Sequence, residues 1–237
     1  AYRLPDTRMA PTIAATVDMG KTVEDASMPL VAVLDSGLAE RYEYESFVVS
    51  VYDALNQRSE TTDPVGHGTQ MSLLAAGVIQ PLGVSTTSDH YHPIISVRAF
   101  DDNGFTSNHT LMRSIDYALD AGAQVINMSW GTEQPNEMLA SLMDYVASSG
   151  AVLVSAAGNV PSGLPVYPAA YDQVIGVGAL NPDGSIWNQS NFGRSVSAWA
   201  PGMVITDTQD PDRKNLYKGT SVSAAFLAYQ IAHLLDN

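Results

Sequence analysis

No cysteine occurs among the 237 residues, which excludes disulfides, thiolate metal sites and cysteine nucleophiles together. Lysine is nearly as scarce, present only as Lys21, Lys214 and Lys218. Lys and Arg total 11 against 25 Asp and Glu, a formal charge of −14 at pH 7. Such a surface repels phosphate backbones, and the scattered basic residues form no offsetting patch, so nucleic acid is not an expected partner. The acids are 18 Asp and 7 Glu, the composition of a well-hydrated exterior. Long apolar runs are missing too. None approaches the roughly 20 residues that cross a bilayer, so no membrane partner is expected. The first ten residues, Ala1 to Ala10, lack the charged-then-apolar layout of a secretion signal. Two settings fit that start: a cytoplasmic protein, or a mature or trimmed domain. Repeats, low-complexity tracts and Pro/Gly/Ser linkers are absent as well, so residues 1–237 are expected to form one domain.

What is present is enough apolar material for a sizeable core: 45% hydrophobic against 15% charged residues. That balance excludes a disordered chain, which cannot offset its folding entropy. Short apolar runs alternate with amphipathic ones. Leu30 to Leu34 reads as a buried strand closed by the turn signal Asp35-Ser36-Gly37. Ile94 to Ala99, Val125 to Met128, Ala151 to Val154 and Val174 to Val177 read the same way. Between them Leu111, Ile115, Ala118 and Leu119 share one helical face. Leu139, Leu142, Met143 and Val146 do likewise before Ser149-Gly150 stops the helix. Leu227, Ile231, Leu234 and Leu235 mark a last helix opening near Thr220. Strands alternating with helices predict an α/β fold of three layers, with a mostly parallel central sheet covered by helices on both faces. In such sheets function gathers at the carboxyl edge.

Three polar segments are expected at that edge. Asp35 directly follows the first strand. Gly66-His67-Gly68-Thr69 leads into an apolar helix, Met71 to Val78, and Gly219-Thr220-Ser221 opens the last helix. Singly, each has an ordinary reading as a turn, a packed histidine or an N-cap. Together they form a chemical set. A serine hydroxyl is a weak nucleophile until a base takes its proton, imidazole suits that task near neutral pH, and a carboxylate fixes the imidazole's tautomer. The order is acid, base, nucleophile, with gaps of 32 and 154 residues.

These residues resemble the subtilisin-like serine peptidases. Val33-Leu34-Asp35-Ser36-Gly37 is similar to the family's aspartate motif, Gly66-His67-Gly68-Thr69 to its histidine motif and Gly219-Thr220-Ser221 to its serine motif. Val125-Ile126-Asn127-Met128-Ser129 and Ala156-Ala157-Gly158-Asn159 follow the family's order, as do Tyr167-Pro168-Ala169, Val174 to Ala179 and Ala200-Pro201-Gly202. The resemblance runs from about Leu30 to the C-terminus. It implies a subtilisin-like fold and a serine endopeptidase working through an acyl-enzyme, with Asp35, His67 and Ser221 as the triad. By composition alone Asn159 is a turn residue. The resemblance makes it the oxyanion donor, with the Ser221 N–H as the second. It further implies a polypeptide substrate, a pro-segment removed on maturation and, for a mature domain, an extracellular setting.

In the family, substrate lies extended beside the segment matching Ser129-Trp130-Gly131. The pocket for the residue before the cut is walled by that segment and by Ala156-Ala157-Gly158. Its base falls to Val166, where many relatives with deep pockets carry glycine. Valine there implies a preference for Ala, Val or Leu over Phe and Tyr. The alternative is that the short loop Val160 to Pro165 reroutes the chain and turns Val166 into the core.

The chain departs from the family pattern at Gln70-Met71-Ser72, read as repacking. It also has Ala225 where relatives usually have proline, which restores a backbone donor. A third departure is the connection Ile79 to Val84. Many relatives place an Asn-rich calcium loop there, and this segment offers too few oxygens for the roughly 6–8 that calcium takes. No cofactor is expected for the chemistry, and structural calcium has no convincing site in the sequence. Asp101-Asp102-Asn103-Gly104 reads as a turn. His90-Tyr91-His92 puts two imidazoles on one side of an extended segment, but no third ligand lies near in sequence, so no metal is expected. Two other functions stay open: a processing peptidase or transpeptidase dedicated to one precursor, and a catalytically silent homologue that binds peptide.

Overall fold

The computed structural model describes residues 2–5, 27–85, 90–207 and 214–236. Its centre is a seven-stranded sheet of β2 (Leu30–Asp35), β3 (Val48–Asp53), β4 (Ile94–Arg98), β6 (Ala123–Met128), β7 (Val152–Ala156), β8 (Val174–Leu180) and β9 (Ala198–Pro201). The spatial order is β3-β4-β2-β6-β7-β8-β9, and every pairing is parallel. Two small antiparallel pairs stand outside it: β1 (Tyr2–Arg3) with β5 (Phe105–Thr106), and β10 (Met203–Asp207) with β11 (Lys214–Lys218).

Side chains alternate across a strand, and that divides the core into two layers. Val31 and Val33, with Val125, Val154 and Val177, face α1 (His67–Ala75) and α4 (Thr220–Leu235). Ala32 and Leu34, with Ile95, Val97, Ile126 and Leu153, face α2 (Asn108–Asp120) and α3 (Glu137–Ser148). The result is the three-layer α/β arrangement expected from the alternating runs. Asparagine and serine start the outer helices. Ser107 Oγ accepts from the Thr110 N–H at 3.1 Å, and Asn136 Oδ1 from the Leu139 N–H at 3.0 Å, contacts typically worth about 1 kcal/mol each.

The helix expected over Met71 to Val78 instead begins at His67 and ends at Ala75. The stop comes from Gly77, whose φ of 76° puts it in the left-handed region. Its N–H bonds the Leu74 carbonyl at 3.0 Å and the next N–H, of Val78, bonds Leu73 at 2.9 Å, which closes the helix with a double turn. All nine residues of α1 are buried. The helix therefore shows no polar face for sequence periodicity to detect.

Candidate active site

Strands β2, β6 and β7 deliver their carboxyl ends to one edge of the sheet, and α1 and α4 start there, packed against each other. Asp35, the last residue of β2, accepts a hydrogen bond at Oδ1 from the Ser36 N–H at 2.7 Å. The same oxygen lies 2.7 Å from His67 Nδ1, so the neutral ring's proton sits on Nδ1 and Nε2 carries the lone pair. Both side chains are buried. Burial opposes charge on the ring, but the attraction and hydrogen bond of Asp35, with Asp63 behind them, outweigh it and raise the His67 pKa above the ordinary imidazole value.

Asp63 is a site residue that sequence reasoning passed over. Its carboxylate accepts from the Ser36 hydroxyl (2.7 Å), the Gly66 N–H (2.8 Å), and the Thr69 N–H and hydroxyl (both 2.7 Å). It thus satisfies orphan donors at the start of α1, the helix that carries His67. Ser36 Oγ in turn accepts from the Gly68 N–H at 2.9 Å. Residue 68 has to be glycine, since a β-carbon there would lie 2.3 Å from the Gly37 carbonyl oxygen. Burial pushes the Asp63 carboxyl pKa up, against the pull of those hydrogen bonds. The available signal was an acid three residues before Gly66, at the head of the helix.

Ser221 is the second residue of α4, where the helix's positive end and the N–H groups without an internal partner collect. Its Oγ donates to the Ser129 carbonyl at 3.2 Å rather than to His67, so a side-chain rotation is needed to aim it at Nε2. Such contacts are often loose before substrate binds. Ser129 Oγ donates back to the Ser221 carbonyl at 3.3 Å and accepts from Asn127 Nδ2 at 2.9 Å, tying the end of β6 to the start of α4.

Asn159 follows β7 and is held through its oxygen. Oδ1 accepts from the Thr220 N–H (2.9 Å) and hydroxyl (3.0 Å), while Thr220 Oγ1 accepts from the Gly158 N–H at 3.1 Å. The amide is thereby oriented, with Nδ2 left over as a donor beside Gly219. Thr220 was read from the sequence only as part of the serine motif, and its hold on Asn159 was not foreseen.

A cleft of about 720 Å³ opens here, lined by Ser129, Gly131, Ala156, Gly158, Asn159, Val166 and Ser221 among others. Val166 does not turn into the core. Its Cγ1 lies 2.7 Å from where a β-carbon on Gly131 would stand, and its Cγ2 3.2 Å from the equivalent point on Gly158. The side chain therefore wedges between the two glycine walls. Trp130 also lines the cleft, and Ala157 is placed differently. The Trp130 ring is buried among Tyr2 and Phe100 with its indole N–H on the Leu34 carbonyl at 3.1 Å. Ala157 is fully buried, its N–H on Val177 and its carbonyl on Asn191.

The edge beside Gly131 carries a strand already. Arg3 bridges Gly131 on one side and pairs with Phe105 on the other. The Leu4 N–H bonds the Gly104 carbonyl at 3.0 Å, and Arg3 and Pro5 line the cleft.

Asp101 Oδ1 accepts from the N–H groups of Asn103 and Phe105, both at 2.9 Å, which makes that segment a turn. In the connection after α1, Gln80 spends its amide nitrogen on the Gly77 carbonyl at 3.2 Å, and residues 86–89 lie outside the described residues. The expectation of no third ligand for His90 and His92 is corrected. The last turn of α4 brings His233 to them, so that one ligand atom from each lies within 4.8 Å of the others. Sequence spacing could not reveal this, because the helix returns across the fold.

A family model described as the Subtilase family matches residues 26–237. A thermophilic serine proteinase from Bacillus sp. (strain AK1) is 32% identical over 200 residues, covering 84% of this chain and 50% of that protein. Minor extracellular protease Epr of Bacillus subtilis (strain 168) is 30% identical over 86% of this chain and 31% of its own length. Thermitase of Thermoactinomyces vulgaris is 29% identical over 87% of this chain and 74% of that protein. The chain thus spans half or less of the first two relatives. Among solved structures, that of a cold adapted subtilisin-like serine proteinase superposes with a TM-score of 0.72 at 23% identity, covering 90% of this chain and 78% of that one. A lanthipeptide protease gives 0.74 at 22%, covering 88% and 73%. These two likenesses establish a shared subtilisin-like fold. With the family match extending over nearly the whole chain, the protein belongs to the subtilase family.

Proposed function

We propose that the chain is a serine endopeptidase that cleaves polypeptides through an acyl-enzyme. The observation that carries this reading is the buried 2.7 Å contact between Asp35 and His67, at the edge where α4 presents Ser221. In the proposed cycle Ser221 Oγ attacks the scissile carbonyl carbon as His67 Nε2 takes its proton. The carbonyl oxygen becomes an oxyanion facing Asn159 Nδ2 and the Ser221 N–H. Collapse breaks the C–N bond, and His67 returns the proton to the leaving amine. Water, deprotonated by the same nitrogen, then releases the acid and restores Ser221. Asp35 stabilises the imidazolium through its contact with Nδ1. The two oxyanion donors stand in place before the reaction, which is why they lower its barrier. Val166 narrows the pocket for the residue before the cut, favouring Ala, Val or Leu over Phe and Tyr.

The test is Ser221→Ala. It is expected to keep the fold and lose both casein hydrolysis and fluorophosphonate labelling. Near-wild-type turnover in a clean preparation of that variant would sink the assignment.

A second reading, a peptidase dedicated to one precursor, is favoured by the strand already seated beside Gly131. A general substrate has to displace residues 2–5 to use that edge. Fluorophosphonate labelling without casein cleavage would select this reading. A silent peptide-binding homologue is the weakest, because no member of the triad is missing.

A further inference from the structure

We propose that His90, His92 and His233 form a three-histidine site for a zinc ion, separate from the Asp35–His67–Ser221 centre. One ring nitrogen from each lies within 4.8 Å of the other two. His90 and His92 are two residues apart in the extended approach to β4, so their rings project to one side. His233 comes from the last turn of α4. Tyr229, one turn earlier, meets the His92 ring edge-on at 5.3 Å and lies parallel to His233 at 6.4 Å, holding both in place.

His92 supplies the independent sign of a ligand. It is fully buried, with its main-chain N–H fixed on the Ala76 carbonyl at 3.1 Å. Neither of its ring nitrogens has a hydrogen-bond partner among the described residues. A neutral imidazole always carries one N–H and one lone pair, and a buried polar group without a partner calls for an ion or water. Burial, then the imidazoles of His233 and His90, push the His92 pKa down to about 4. The Asp236 carboxylate, at the C-cap of α4, acts on His92 in the opposite sense and would offset part of the ion's charge.

The donor set selects the ion. Three imidazole nitrogens suit zinc and its neighbours, whereas calcium and magnesium need oxygen ligands. Zinc–nitrogen bonds of about 2.0–2.1 Å put tetrahedral nitrogens about 3.4 Å apart. Rotations of the half-buried His90 and His233 can close that gap, and the fourth position falls to water. Bound there, the ion would clasp the C-terminal turn of α4 to the segment entering β4. Ser221 starts the same helix 12 residues earlier, about 18 Å away along the axis, so the role is structural.

The experiment titrates Zn²⁺ into chelator-treated full chain by calorimetry, with Co²⁺ absorption as a report of coordination. One ion per chain, four-coordinate cobalt bands and a Tm that rises with free zinc are expected. His233→Ala is expected to weaken binding at least ~100-fold, as one of three ligands is lost, while leaving peptide hydrolysis unchanged. His109→Ala, on the exposed side of α2, should bind as wild type. Imidazole NMR on the wild type gives a readout that needs no variant: the resonances of His90, His92 and His233 should shift with zinc and those of His67 should not. No binding, six-coordinate cobalt, unchanged affinity in His233→Ala, or a shift confined to His67 would overturn the proposal.

Discussion

Replacing Asp63 by Asn tests how the histidine helix is held. The carboxylate accepts four hydrogen bonds, two from main-chain N–H groups of Gly66 and Thr69 and two from the hydroxyls of Ser36 and Thr69. The hydroxyls can rotate to other partners. The main-chain donors cannot, and an amide nitrogen turned toward Thr69 faces its N–H with hydrogens of its own, leaving Gly66 a weaker amide oxygen. Leaving a buried donor unmet costs about 1–3 kcal/mol. With one donor lost and the second weakened, Asp63→Asn should destabilise the fold by about 2–4 kcal/mol, a large share of the ~5–15 kcal/mol that holds a domain together. For a chain of this size that is a fall in Tm of roughly 4–16 °C. The variant also removes a negative charge that raises the His67 pKa, so the rising limb of kcat/KM against pH should move to lower pH. Stability is best measured by urea unfolding in a Ser221→Ala background, where self-digestion cannot distort the curve, and the pH profile in the active background. Asp172→Asn, at an exposed ion pair with Arg194, serves as a control and should change stability by less than about 0.5 kcal/mol. If Asp63→Asn matches that control and leaves the pH profile in place, Asp63 holds neither the helix nor the base, and the reasoning fails.

Hydrolysis should rise with pH through the titration of His67, at a value above the ordinary ~6.5 of imidazole, because the neutral ring is the base; a flat kcat/KM between roughly pH 5 and 9 would contradict this. The same raised pKa means that the charged pair with Asp35 stabilises the fold below the ordinary value and loses this contribution as pH rises through the folded one, so activity and this part of the stability should run in opposite directions over one window. Asn159→Ala should lower kcat by about 10²–10³ with little change in KM, a magnitude that comes from subtilisin itself. Thr220→Val, which releases the Asn159 oxygen from its hydroxyl contact, should lower kcat by a smaller factor in the same pattern, and a rise confined to KM would make both residues substrate holders. Val166→Gly should raise kcat/KM on peptides with Phe before the cut at least about tenfold relative to matched Ala peptides; no gain, or a wild type that already prefers Phe, would remove Val166 from the pocket floor.

Much of this protein is written in local pattern. The run Leu30 to Leu34 could only be a buried strand, and its odd and even residues do face two different helix layers. Capped, periodic segments such as Asn108–Asp120 declared themselves for the same reason, since one face of the helix is dry and the other wet. The triad candidates were legible because Asp, His and Ser each stood within two residues of a glycine at the end of a strand or the start of a helix. β3 and β11 were not legible, being edge or hairpin strands whose partly exposed residues carry little apolar signal. Other facts depend on chain segments that meet only after folding. Asp63 gains its partners when α1 docks on the end of β2, and Thr220 orients Asn159 across a gap of 61 residues. The Trp130 ring finds its place between Tyr2 and Phe100, which come from segments remote in sequence. Arg3 reaches Gly131 only through the pairing with β5. His233 joins His90 and His92 because the axis of α4 ends where β4 begins. Periodicity and turn chemistry act over a few residues, so the sequence by itself determined most of the central elements and the candidate reactive set; distances between remote side chains arise from how the layers pack, so only the tertiary structure decided what holds that set and what else it brings together.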